Sequence, residues 1–211
     1  MWSGETVAIF GGGPSLTQEQ VNACRGFRSI AINDAYLLAP WADVLYFPDV
    51  RWWKWHRNRE EFKRFSGMKV SIDNHAPETV TDPDVTVLKD LSFGSMTDGR
   101  LSREPGGVYT GRNAGYQAIN VAVLFGAKRI ILLGYDMKSK DGRTHWFGDH
   151  PVKTDPQVFR QYRMEFVRMA PTAERMGVEI LNATPGSDLK AFSMVSLESL
   201  VPSSYGAALP T

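Results

Sequence analysis

Four consecutive apolar residues, Ile130, Ile131, Leu132 and Leu133, follow Arg129 and stop at Gly134. A strand without polar alternation has no face to offer to water, so it needs cover on both sides, the situation of a central strand in a parallel sheet. Less uniformly apolar runs recur at residues 7–10, 29–32, 43–47, 69–72, 85–88 and 178–181. Between them lie segments with helical character at 17–24, 114–125 and 157–176, the last containing Pro171. In the 114–125 segment Tyr116, Ile119, Ala122 and Val123 share one face and Gly126 is placed to stop the helix. Strands alternating with helices predict an α/β class, and we read residues 1–211 as a single Rossmann-like three-layer domain with a mostly parallel sheet.

The composition supports a folded core, since 43% of the 211 residues are hydrophobic and 22% charged. With 24 basic and 23 acidic side chains the formal charge is +1, so no global field singles out nucleic acid or membrane. Cys24, the one cysteine, excludes an intramolecular disulfide and a cysteine-based metal site, which points to a reducing compartment. Glu5 and the glycines that follow interrupt any leader-like apolar run, and no stretch reaches the roughly 18 apolar residues of a membrane span, so the cytoplasm is the expected location.

The run at 7–10 opens into Gly11-Gly12-Gly13-Pro14-Ser15-Leu16 before a helical segment that Ser15 or Thr17 can cap. Glycines there permit close backbone approach, and a helix start has N–H groups without internal partners, so Gly11, Gly12, Gly13 and Ser15 can cradle a phosphate or carboxylate. The turn departs from both common fingerprints. Leu16 stands where a dinucleotide motif has its third glycine, and no Lys-Ser or Lys-Thr pair marks a P-loop. A tight turn without a ligand is the bland alternative.

Polar residues cluster where strands end, on the side where open α/β sheets bind ligands. Asn33 and Asp34, Asp49, Asp73 and Asn74, Asp136, and Asn182 with Thr184 all occupy such positions. Asn33 can hydrogen-bond a base, ribose or phosphate, or simply cap its own turn. Asp136, in Gly134-Tyr135-Asp136-Met137, can bind a ribose, orient an acceptor or hold a divalent ion, and a structural role in its loop is as good a reading. In the segment that opens the 114–125 helix, Arg112 offers a forked cation suited to phosphate, Asn113 an N-cap, and Gly115 room for a ligand to approach the backbone.

Residues 92–107, rich in Gly, Ser, Asp and Arg, read as a long surface loop able to act as a lid. A second irregular segment, 138–154, carries His145 and His150, either of which can take a proton from an acceptor hydroxyl at neutral pH, although a loop histidine is more often polar surface. Their spacing does not define a metal site, and none is expected. Trp52, Trp53 and Trp55 interleave with basic residues across 51–64. That pattern suits nucleic-acid stacking, and equally an amphipathic helix packed on a core, with the neutral total charge favouring packing or acceptor recognition.

Taken in order, Gly11 to Leu16, Asn33, Asn113 to Gly126, Leu133 to Met137, Gly148 to Asp155 and Ala183 to Ser187 resemble the bacterial sialyltransferases of the Campylobacter type and the related archaeal pterin pyrophosphokinase-like family, which has phage and bacterial members. The resemblance implies that Gly13, Ser15 and Asn33 lie beside a cytidine nucleotide and that His150 is the general base. It also implies a lid at 92–107. Two departures stand out: Ala114-Gly115 replaces a Ser-Gly pair, and one extra residue separates Gly148 from His150.

The implied function is a nucleotide-dependent transferase, foremost a glycosyltransferase. His150 would deprotonate a small-molecule, glycan or modified-base acceptor, while Arg112 or His145 stabilises the departing phosphate of a nucleotide-sugar, for instance a CMP-sugar. In the pyrophosphokinase-like alternative ATP is the donor, with Mg²⁺ held by Asp136. A binding module for nucleic acid or protein is the non-catalytic alternative. No tightly bound cofactor is expected, and a homo-oligomer is compatible with the sequence.

Overall fold

The computed structural model describes residues 1–73, 78–92, 98–148 and 157–201. In chain order these form β1 (Thr6–Phe10), α1 (Gln18–Ala23), β2 (Arg28–Ile32), β3 (Val44–Tyr46), α2 (Val50–His56), α3 (Glu60–Arg64), β4 (Met68–Asp73), β5 (Val85–Asp90), β6 (Gly107–Val108), α4 (Ala114–Leu124), β7 (Arg129–Leu133), α5 (Val158–Arg175), β8 (Glu179–Asn182) and β9 (Ser193–Met194). The nine strands pair in the order β6-β5-β4-β3-β2-β1-β7-β8-β9, every pair parallel.

Strand alternation sorts the core into two layers. Val7, Ile9, Ile30, Ile32, Ile130 and Leu132 pack with α4 and α5, whereas Ala8, Phe10, Ala31, Leu45, Ile131 and Leu133 pack with α1, α2 and α3. A parallel sheet covered on both faces is the reason the 130–133 run carries no polar residue. The chain is thus a Rossmann-like α/β fold.

Helix boundaries follow local chemistry. Asn113 caps α4 by accepting from the Tyr116 N–H at 2.8 Å, and Gly126 stops the chain beyond it at φ +98°. Helix α4 is buried nearly all round, Gln117 and Asn120 included. Helix α5 runs through Pro171 without a break. The donor that proline removes would have met the carbonyl of Val167, an exposed residue whose carbonyl water can serve.

Two segments read from the sequence have defined positions in the fold. The 51–64 stretch folds as two short helices, and Trp52 and Trp53 lie in the core while Trp55 stays exposed. Their apolar area outweighs the interleaved charges, which point outward. In addition, the described part of the 92–107 segment is fastened to the helices. Leu101 and Ser102 are buried, the Tyr116 hydroxyl donates to the Arg100 carbonyl at 2.7 Å, and Gly99, at φ +74°, rests against the α5 backbone at Arg168.

Among the described residues no helix is long and apolar enough to cross a membrane. Cys24 is fully buried, and burial pushes its thiol up to about 12. At pH 8 Ellman's reagent should therefore find no reactive thiol in the native chain and one after denaturation. Above the ordinary thiol value the unfolded chain ionises first, so this group's contribution to stability falls as pH rises from about 9 toward about 12. A native thiol that reacts at the denatured rate would contradict the burial.

Candidate functional site

Strand β1 sits between β2, its sequence neighbour, and β7, which joins only after the other half of the sheet is complete. At such a switch point the connections leave in opposite directions and open a crevice beyond the carboxyl ends of the strands. The register fixes what lines it. Phe10 pairs with Ala31 on one side and Leu133 on the other, so the glycine turn, Asn33 and the Gly134-Tyr135-Asp136 segment leave the sheet at neighbouring levels.

The turn is built on close backbone contact. Gly11 N–H donates to the Leu133 carbonyl at 2.8 Å and Gly13 N–H to the Gly134 carbonyl at 2.9 Å. A Cβ on Gly11 would come within 2.6 Å of the Gly134 oxygen, and one on Gly13 would collide with the Asp136 carboxylate. The glycines are therefore required by space, with Gly134 at φ +69° giving the complementary bend.

Helix α1 begins later than an anion cradle needs. Thr17 caps it in a reciprocal box with Gln20, and the Leu16 N–H turns back to the Gly13 carbonyl at 3.2 Å. What the turn offers instead is a hydroxyl and a carboxylate: Ser15 Oγ donates to Asp136 Oδ2 at 2.9 Å. Asp136 is 3% exposed. Burial raises its pKa, opposed by the hydrogen bonds from Ser15.

The segment after β7 folds back over this turn. The Trp146 N–H donates to the Gly12 carbonyl at 3.1 Å, and a Cβ on Gly12 would lie 3.2 Å from His145 Nδ1. His145 stacks on Phe147 with ring centroids 5.0 Å apart. Thus Gly11, Gly12, Gly13, Ser15, Asp136 and His145 share one locus. His150, Asn74 and residues 154–155 lie outside the described residues.

Asn33 begins a 3-10 turn, Asn33–Leu37, at φ +49°. Its Oδ1 is buried and has no hydrogen-bond partner among the described residues. A neighbouring network that sequence reasoning missed steadies this turn. The Asp34 carboxylate accepts from Trp52 Nε1 at 2.8 Å and lies 3.5 Å from His56 Nε2, while His56 Nδ1 and the Tyr36 hydroxyl are 3.0 Å apart. Burial pushes the Tyr36 phenol up to about 12, so it stays protonated. These partners are 18 to 22 residues apart, a separation at which sequence spacing carries no signal.

Two candidates have structural work of their own. The Thr184 hydroxyl accepts from the Tyr135 N–H at 3.0 Å inside a buried cluster with Asn182 and Ser187. At Gly115 an added Cβ would meet the Tyr135 ring at 2.8 Å, and its carbonyl accepts the Tyr135 hydroxyl at 3.1 Å. That bond brings the start of α4 to the crevice rim. Asn113 is occupied in capping, and Arg112 is exposed at φ +59°. Compared with protein-family models, curated proteins and solved structures, the chain gives no match.

Proposed function

We propose that the crevice binds a nucleotide-activated donor and that the protein is a nucleotide-dependent transferase, foremost a glycosyltransferase. The observation that carries this reading is the orphaned Oδ1 of Asn33 at the end of β2. A buried acceptor without a donor costs about 1–3 kcal/mol, so the native fold gains from a ligand that supplies one. A base amine or a ribose hydroxyl has that chemistry.

The Ser15–Asp136 pair suits sugar hydroxyls, since a carboxylate accepts them strongly in a site shielded from water. His145, above Gly12, is placed to meet the charge of the leaving phosphate. In the transfer the acceptor hydroxyl gives its proton to a base, for which the family resemblance nominates His150. Its oxygen then bonds the anomeric carbon as the carbon–oxygen bond to phosphate breaks, and the nucleotide leaves with the electron pair.

One observation favours a second reading. Asp136 is a buried carboxylate on the crevice, which would suit Mg²⁺ in an ATP-dependent pyrophosphoryl transfer. A thermal-shift panel of CMP, a CMP-sugar, a UDP-sugar, ADP and ATP, each with and without Mg²⁺, separates the two. Stabilisation by CMP or a nucleotide-sugar without metal is the expected result, and Asn33→Ala should weaken it about tenfold in apparent affinity. An ATP response that needs Mg²⁺ selects the second reading. No response to any nucleotide overturns both.

A further inference from the structure

Helix α5 carries a row of side chains that its own chain leaves open. Arg160, Met164, Val167, Pro171 and Glu174 follow one another at spacings of four, three, four and three residues, so they lie along one line of the helix, and all five are exposed. Met164 and Val167 are 47% and 59% exposed, more than any other large apolar side chain among the described residues except Met1. The row is apolar in its middle, with a cation at one end and an anion at the other.

The two end charges are not explained by contacts within the chain. Other arginines of α5 turn inward: Arg163 Nη1 donates to the Met137 carbonyl at 2.8 Å, Arg168 Nη1 to Glu165 Oε1 at 2.8 Å and Arg175 Nη2 to the Thr172 hydroxyl at 3.0 Å. Arg168, beside Val167, is thereby neutralised by a buried carboxylate. The side chains of Arg160 and Glu174 have no partner among the described residues. Each also stands at the wrong end of the helix. A cation in the first turn and an acid in the last oppose the macrodipole, which favours the reverse.

Those two ends match each other. Val167 is seven residues from Arg160 and seven from Glu174, which is about 10.5 Å along the axis in each direction. In a second α5 running antiparallel about a two-fold axis at Val167, Arg160 of each protomer comes level with Glu174 of the other, and Val167 meets its own copy. We propose that this face of α5 is an isologous interface between two copies of the chain, with Met164, Val167 and Pro171 as its apolar centre and an Arg160–Glu174 pair closing each end. In a parallel pair Arg160 would face Arg160 and Glu174 would face Glu174, so charge selects the antiparallel arrangement. The helix is about 27 Å long, and one such face is smaller than the roughly 800 Å² per partner of a standard interface, so dimerisation belongs at micromolar concentrations.

The test is sedimentation velocity of the full chain at low ionic strength, from about 1 to about 200 µM. The wild type should pass from monomer to dimer across that range. Arg160→Glu or Glu174→Arg sets like charges together at both ends of the interface and should weaken dimerisation by about tenfold or more. Both residues are exposed and both changes suit the helix dipole, so neither threatens the fold. The variant carrying both changes should recover the dimer, and the two single variants mixed in equal amounts should pair with each other. Val167→Cys should give a disulfide-linked dimer on mild oxidation, since Cys24 is fully buried.

A wild type that stays monomeric throughout overturns the proposal, as do single variants that dimerise as the wild type does. A doubly changed chain that remains monomeric overturns the antiparallel pairing.

Discussion

Gly13→Ala should lower the melting temperature by roughly 6–12 °C and abolish stabilisation by nucleotide. The new methyl would collide with Asp136 Oδ2 and stand 2.6 Å from the Gly134 oxygen. Neither can withdraw. Asp136 is held by Ser15, and the Gly134 carbonyl is the acceptor of the Gly13 N–H itself. Overpacking of this kind costs about 3 kcal/mol. Gly12→Ala is the internal control, because its methyl would meet only the His145 ring at 3.2 Å, a side chain able to give way. Calorimetric melting of both variants decides the matter, and a Gly13→Ala protein that melts with the wild type would falsify the contact.

Asn120→Ala should cost a similar amount, about 3 kcal/mol, and open residues 98–109 to protease. The side chain is fully buried within α4. Its Oδ1 accepts from the Ser102 N–H at 3.2 Å and the Tyr109 N–H at 2.9 Å, and its Nδ2 donates to the Ser102 carbonyl at 2.8 Å. Alanine strands all three backbone groups away from water. Asn120→Asp keeps the acceptor and loses the donor, so it should fall between the two. Limited proteolysis beside the melting curve is the measurement. Unchanged cleavage with a lowered melting point would mean that Asn120 stabilises the helix alone.

The seven strands were legible as short apolar runs, most plainly where burial on both faces leaves a continuous hydrophobic signature, as Ile130 to Leu133 shows. Strands β6 and β9 were not legible. Each contributes two residues, too few for any period to register. Trp52 and Trp53 illustrate a limit of local pattern, since aromatic and basic residues interleave in the same way on a binding surface and on a helix laid against a core. At the site, Gly13, Ser15 and Asp136 were each visible as strand-end residues. Their joining across 121 positions depends on β1 pairing with β7, which no local window contains. Asn120 escaped notice because a polar residue inside a helix reads as solvent-facing until α4 proves buried on every side.

The position of β1 also governs the order in which the molecule can assemble. Its β2 side can be satisfied early, from residues about 20 positions downstream, whereas its β7 side waits for Arg129–Leu133. A ribosome adding roughly 5–20 residues per second leaves that edge of Val7 to Phe10 open for several seconds. Closing such a distant pair requires loop entropy to be lost before any contact rewards it, which places the chain among slow folders whose nascent form exposes an apolar strand edge. The same pairing that creates the crevice therefore leaves its floor open during synthesis until β7 emerges, after all of β2 to β6.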